Sequence, residues 1–200
     1  MTRIMTPGGR PLGLIILAGG DGRRMRADKA RLPLPGGKTL IEHVIAQSER
    51  FFSQVLISVT RDSGLDFLPF EKIEDAVPDQ GPMRGLHTAL SSARCRSNFV
   101  IACDIPEIRI PFVRAMVKAS AGFSVTVAVQ ADGRPEPLFG VYSLSTLPHM
   151  EYLLERKKFS LLDLFPLCPT RYVPLDGPGW LRNLNTREEY RRFIQDVKKP

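Results

Sequence analysis

The chain has 200 residues, enough for one domain with a substantial core, and 43% of them are hydrophobic, an ordinary share for a globular protein. Lysine and arginine outnumber the acids 28 to 21, a net charge of +7, yet they fall in scattered pairs such as Arg23-Arg24 and Lys157-Lys158. Without a basic stripe interleaved with aromatics, a nucleic-acid partner is not expected and a small anion is. No apolar run reaches the roughly 18–20 residues of a membrane span, and the stretch after Arg10 is shorter than the roughly 7–15 residues of a secretory signal, so a cytoplasmic protein without membrane contact is expected.

Strand and helix patterns alternate along the chain. Residues 12–18 are apolar and branched, the signature of a buried strand. A helix is predicted over 39–51, with Leu40, Ile41, Val44, Ile45 and Ser48 on one face, then a strand over 54–60 and a strand end near 72–75. Pro82 suits the first turn of a helix running to about 93, and a buried strand at 98–103 leads directly into Asp104. A helix at 111–121, strands at 124–130 and 136–142, helices at 145–155 and 161–165, and a strand at 171–175 follow. The last helix begins at Thr186, whose hydroxyl and Glu189 match a capping box. This alternation predicts a three-layer α/β fold of Rossmann-like form, a mostly parallel sheet with helices on both faces. One domain over 1–200 is expected, with 1–11 flexible.

The side chains of Cys95, Cys103 and Cys168 have no metal-ligand spacing and are expected as small buried hydrophobes. His43, His87 and His149 lie in predicted helices without a paired nucleophile, so no catalytic role is assigned to them.

The segment that carries chemistry is Leu17-Ala18-Gly19-Gly20-Asp21-Gly22-Arg23-Arg24-Met25-Arg26-Ala27-Asp28-Lys29. Glycines remove side chains where the backbone must approach a ligand, and the cations that follow can fold back over the turn. A strand, a bare turn and fixed positive charge make a triphosphate cradle, which predicts a nucleotidyltransferase. Arg24 and Lys29 are the candidate catalytic cations: arginine grips two oxygens, and lysine acts as a movable point charge. Arg23 and Arg26 are expected to face solvent. Asp104, a carboxylate at a strand end, suits Mg²⁺, which keeps one or two protein carboxylates and fills its shell with water and phosphate oxygens. Asp75 ends a strand-like stretch and is a weaker candidate.

The run Leu17–Lys29 resembles the signature of the molybdenum cofactor guanylyltransferases, GT-A-like nucleotidyltransferases. The resemblance continues through Glu74-Asp75, Gly81-Pro82-Met83-Arg84-Gly85-Leu86, Cys103-Asp104-Ile105-Pro106, Glu136-Pro137-Leu138-Phe139 and Asn183-Leu184-Asn185-Thr186. It implies Mg²⁺-dependent transfer of GMP from GTP to molybdopterin or its molybdenum-loaded form, with release of pyrophosphate. By similarity Leu17, Ala18, Gly19 and Gly20 line the nucleotide, Lys29 meets its phosphates, Asp75 holds the guanosine, Asp104 holds the metal, and Asn183 and Asn185 lie beside the pterin. The resemblance also implies molybdoenzyme chaperones as partners and a monomer or weak homo-oligomer.

Two positions depart from the family pattern. Arg26 stands where glycine is usual, and Ser58 where many members carry asparagine, so Ser58 is not assigned to the nucleoside. The alternatives are a cytidylyltransferase on the same pterin, a sugar- or alcohol-phosphate nucleotidyltransferase, and a non-catalytic nucleotide-binding protein that delivers the cofactor. Leu-Ala-Gly-Gly rather than Leu-Ala-Ala-Gly favours guanine by resemblance.

Overall fold

Six consecutive buried residues make β1 (Leu12–Leu17) the middle of a sheet rather than its edge. A strand covered on both faces reads as a continuous apolar run because neither side meets water. The computed structural model describes residues 2–19, 29–61, 63–75, 81–177 and 179–197. Among them β1 is flanked by β2 (Gln54–Val59) and β4 (Ser97–Ala102), both parallel to it. β3 (Glu71–Glu74), β5 (Val125–Val129), β6 (Pro135–Ser143) and β7 (Thr170–Pro174) complete a sheet of order β3-β2-β1-β4-β6-β5-β7.

The expected three-layer α/β architecture is the one observed. Leu12, Leu14, Ile16, Phe99 and Ile101 face one layer, which holds α1 (Leu40–Ser48) and α3 (Ile110–Ala119). Ile15, Leu17, Leu56 and Val100 face the other, which holds α2 (Gly81–Ser91) and α4 (Leu147–Glu155). A smaller cluster of Leu34, Leu40, Leu184 and Phe193 seats α5 (Arg187–Val197) against the start of α1. Cys95, Cys103 and Cys168 are buried, as expected.

One strand runs against the rest. β6 is antiparallel to both β4 and β5, because a tight turn at Gly133 (φ +83°) joins it directly to β5. The Gln130 and Gly133 amides donate to Arg134 O and Gln130 O at 2.9 Å and close that hairpin.

One expectation needs correction. The helix predicted at 161–165 is a pair of 3₁₀ turns, Leu161–Asp163 and Phe165–Leu167, since Pro166 cannot donate to a continuing α-helix. Ahead of β1, Ile4 is buried in the core and its amide donates to Phe51 O at 2.8 Å. Met5 also pairs with Pro11 in an antiparallel bridge.

Chain direction sets the location of the site. From β1 the chain moves outward through β2 and β3, then returns to β4 on the other side of β1. Ligands of open α/β sheets bind beyond the carboxyl ends of the strands at such a switch point. Here that point lies beyond Leu17 and Ala102.

Candidate active site

The ends of four strands, β1 to β4, are locked together at the switch point. Cys103 N–H donates to Leu17 O at 3.0 Å, Ala18 N–H to Ser58 O at 2.8 Å, and Asp75 N–H to Val59 O at 2.8 Å. Gly19 follows at the lip: a Cβ there would stand 3.2 Å from Thr60 Cγ2 and 3.4 Å from its amide nitrogen. The absence of a side chain lets the backbone at Gly19 pass close to Thr60, just after β2. Gly20, Arg24 and the departing Arg26 lie outside the described residues.

The nucleoside-side candidates converge on Gly85 of α2. A Cβ at Gly85 would lie 3.5 Å from Leu17 Cδ2 and 3.9 Å from Asp75 Oδ2. Ser58 is buried and its hydroxyl donates to Gly85 O at 3.3 Å. That departure therefore ties β2 to α2.

On the other side of the crevice stands a cation between two acceptors. Lys29 sits on a short 3₁₀ turn, Lys29–Arg31, and its Nζ donates to Asp104 Oδ2 and to Asn185 Oδ1, each at 2.7 Å. The Lys29 and Asp104 side chains are 21% and 13% exposed, so the pair is largely withdrawn from water but reachable. Asp104 stands two residues beyond β4, and its main-chain carbonyl accepts from Leu184 N–H at 2.8 Å. Asn185 is held by Glu189, whose Oε2 accepts its amide at 2.8 Å. Asn183 is half-buried two residues earlier and makes no side-chain hydrogen bond among the described residues.

Glu189 answers to opposing forces. Partial burial alone would raise its carboxyl, but the amides of Thr186 and Asn185, the Thr186 hydroxyl and the charge of Lys29 outweigh that and hold it below the usual carboxylate range.

The donor set fits a hard divalent ion shared with a phosphate ligand. Asp104 Oδ1 is buried without a hydrogen-bond partner, while Oδ2 is committed to Lys29. No group of three or more His, Cys, Asp or Glu among the described residues could cage an ion alone. One available carboxylate oxygen is the protein contribution magnesium usually takes.

The family model of the MobA-like NTP transferase domain matches residues 14–165, a span that includes Lys29, Asp75 and Asp104. The chain belongs to this family. It is 30% identical over 176 residues to a probable molybdenum cofactor guanylyltransferase of Flavobacterium johnsoniae, covering 87% of this chain and 92% of that one. A protein of the same description from Carboxydothermus hydrogenoformans is 31% identical over 191 residues, covering 92% and 95%. The crystal structure of molybdopterin-guanine dinucleotide biosynthesis protein A from Archaeoglobus fulgidus superposes with a TM-score of 0.77 at 24% identity, over 94% of this chain and all of that one. Fold and family thus agree with the sequence resemblance.

Within this MobA-like protein, several connections were not legible in the sequence. The Thr186–Glu189 capping box was legible, but not the further bond from Glu189 to Asn185 N–H. Nor was the contact between Ser58 and Gly85, since serine at a strand end carries no signal of a partner on the next helix.

Proposed function

We propose that this MobA-like nucleotidyltransferase moves GMP from GTP to molybdopterin or its molybdenum-loaded form. The observation that carries the proposal is Lys29 Nζ lying 2.7 Å from both Asp104 Oδ2 and Asn185 Oδ1. Residues from the glycine-rich start, the β4 end and the C-terminal Asn-Leu-Asn thus share one contact. The names of its relatives support guanine and the pterin as substrates.

In this proposal the backbone of Leu17, Ala18, Gly19 and Gly20 lines the nucleotide, and Asp75 accepts hydrogen bonds from the guanosine. Asn183 and Asn185 face the pterin. The terminal phosphate oxygen of molybdopterin attacks the α-phosphorus of GTP; a new P–O bond forms as the bond to the bridging β-phosphate oxygen breaks, and pyrophosphate leaves. Lys29 and Arg24 meet the charge that develops on the leaving oxygens, which preplaced cations do without reorganisation. Asp104 would hold Mg²⁺ through Oδ1, and the ion, when bound, supplies Lewis-acid charge to phosphate oxygens. The protein contributes alignment and charge, and no histidine or covalent intermediate is needed.

Incubation with each of the four nucleoside triphosphates, Mg²⁺ and molybdopterin tests the proposal. GTP alone is expected to release pyrophosphate and give the dinucleotide. Preference for CTP would reassign the base. GTP binding without pyrophosphate release would point to a cofactor-delivery protein instead.

A further inference from the structure

We infer that Glu189 is a positioning residue for Lys29, acting through Asn185. The described residues offer an internal comparison, because two capping boxes stand among them. On α1, Glu42 Oε2 accepts, among the described residues, only from the amide and hydroxyl of its own cap residue, Thr39, both at 2.7 Å. On α5, Glu189 Oε2 accepts from Thr186 N–H at 2.8 Å and its hydroxyl at 3.1 Å, and also from Asn185 N–H at 2.8 Å. That third bond reaches one residue beyond the helix cap. It fixes the residue whose side-chain carbonyl accepts from Lys29.

The anchor is rooted in the core. Phe193 of α5 and Leu184 pack with Leu34 and Leu40, and the Tyr190 hydroxyl donates to Pro33 O. The helix that carries Glu189 is thereby seated on the segment just after Lys29. Leu184 N–H meanwhile bonds Asp104 O, so the loop that holds Lys29 from one side is tied to the residue that holds it from the other. A lysine ammonium on a four-carbon stem has large rotamer freedom. Two acceptors on one braced frame hold it at a single point.

The catalytic consequence rests on the role proposed for Lys29, whereas the positioning can be read without any turnover. The test compares Glu189→Ala, Glu189→Gln and the control Glu42→Ala at a temperature where circular dichroism reports all of them folded. The first readout is the amine-labelling rate of Lys29, followed by mass spectrometry in the full chain without ligand. Glu189→Ala is expected to raise it about tenfold, the scale of one charge-assisted hydrogen bond. Glu189→Gln, which keeps an acceptor oxygen, recovers most of the protection, and Glu42→Ala leaves the rate at the parent value. In an Asn185→Ala background, Glu189→Ala adds nothing further, because the link is already cut. Equal labelling in Glu189→Ala and the parent overturns the inference, as does an effect that multiplies with Asn185→Ala. The second readout is MgGTP affinity. If the parent binds no nucleotide while labelling responds as stated, the functional proposal fails and the positioning stands.

Discussion

Gly85 and Ser58 are packed so closely that a Cβ on Gly85 would stand 2.9 Å from Ser58 Oγ. The Gly85 carbonyl also receives the Ser58 hydroxyl, so any move that relieves the clash weakens this bond. Gly85→Ala gains about 1 kcal/mol of helix propensity, which offsets the clash and leaves stability near neutral. The cost falls on the site, because Leu17 and Asp75 border the same space. GTP affinity is expected to fall about tenfold in Gly85→Ala, a loss on the scale of one displaced hydrogen bond. Ser58→Ala in the same chain removes the obstructing oxygen and restores part of the affinity, measured by calorimetry. A double variant no better than Gly85→Ala would mean that Ser58 is not the obstacle.

Lys29 and Asp104 lend themselves to separate removal of charge and shape. Asp104→Asn retains the volume and the Lys29–Asn185 contact but deletes the carboxylate. Pyrophosphate release should drop by about 10²–10³, as for loss of one preorganised electrostatic group, with the circular dichroism spectrum unchanged. Lys29→Met costs stability as well, on the order of 1–3 kcal/mol, because it leaves Asp104 Oδ2 without its donor in a largely withdrawn site. Undiminished pyrophosphate release in Asp104→Asn would remove Asp104 from the mechanism.

Acid should loosen both helix caps. Hydrogen bonds from the backbone and hydroxyl of Thr39 hold the Glu42 carboxyl low, and Glu189 is lowered by its cap bonds despite burial. A carboxyl depressed in the folded chain stabilises it above the unfolded value of about 4.3, and that contribution is lost as pH falls through the folded pKa. The double variant Glu42→Gln, Glu189→Gln should therefore melt below the parent at neutral pH, with the gap closing in acid below about pH 4. Thermal unfolding across that range measures it, and a gap that stays constant would exclude the linkage.

Much of this molecule was legible because burial writes itself into composition. β1 has no exposed residue, so its apolar run is unmistakable, and the Gly-rich turn and Asp104 follow from strand ends. The reversal of β6 was less visible: Pro135–Ser143 reads like any half-buried strand, and only the turn at Gly133 hints at its direction. The burial of Ile4 was not legible, because the short Ile4-Met5 pair between polar residues sets up no period. The Lys29–Asn185 contact joins residues 156 apart, and no local pattern encodes which distant loop closes over a site. Motif order could bring Lys29 and Asp104 to the same crevice. It could not supply the shared acceptor.

Trp180 links core packing to that acceptor. It is 4% exposed and meets the rings of Phe112 and Phe139 edge-on at 5.4 and 5.7 Å. Its indole N–H donates to Asp176 Oδ1 at 2.9 Å, and the Arg109 guanidinium lies over the ring at 4.7 Å. These contacts pin the segment after β7 to the α3 face of the sheet, three residues before Asn183. Trp180→Ala should cost about 3–5 kcal/mol, the usual loss for a buried aromatic. Trp180→Phe preserves the ring contacts and forfeits the bond to Asp176, about 1 kcal/mol. Urea unfolding followed by circular dichroism separates the two. The further expectation concerns activity at low temperature, where both variants are folded. Trp180→Phe should turn over near the parent rate, while Trp180→Ala should lose activity, because the segment carrying Asn183 and Asn185 is no longer anchored against the core. Equal activity in the two would mean that the Leu184–Asp104 and Glu189–Asn185 bonds suffice to hold the loop, with Trp180 serving stability alone.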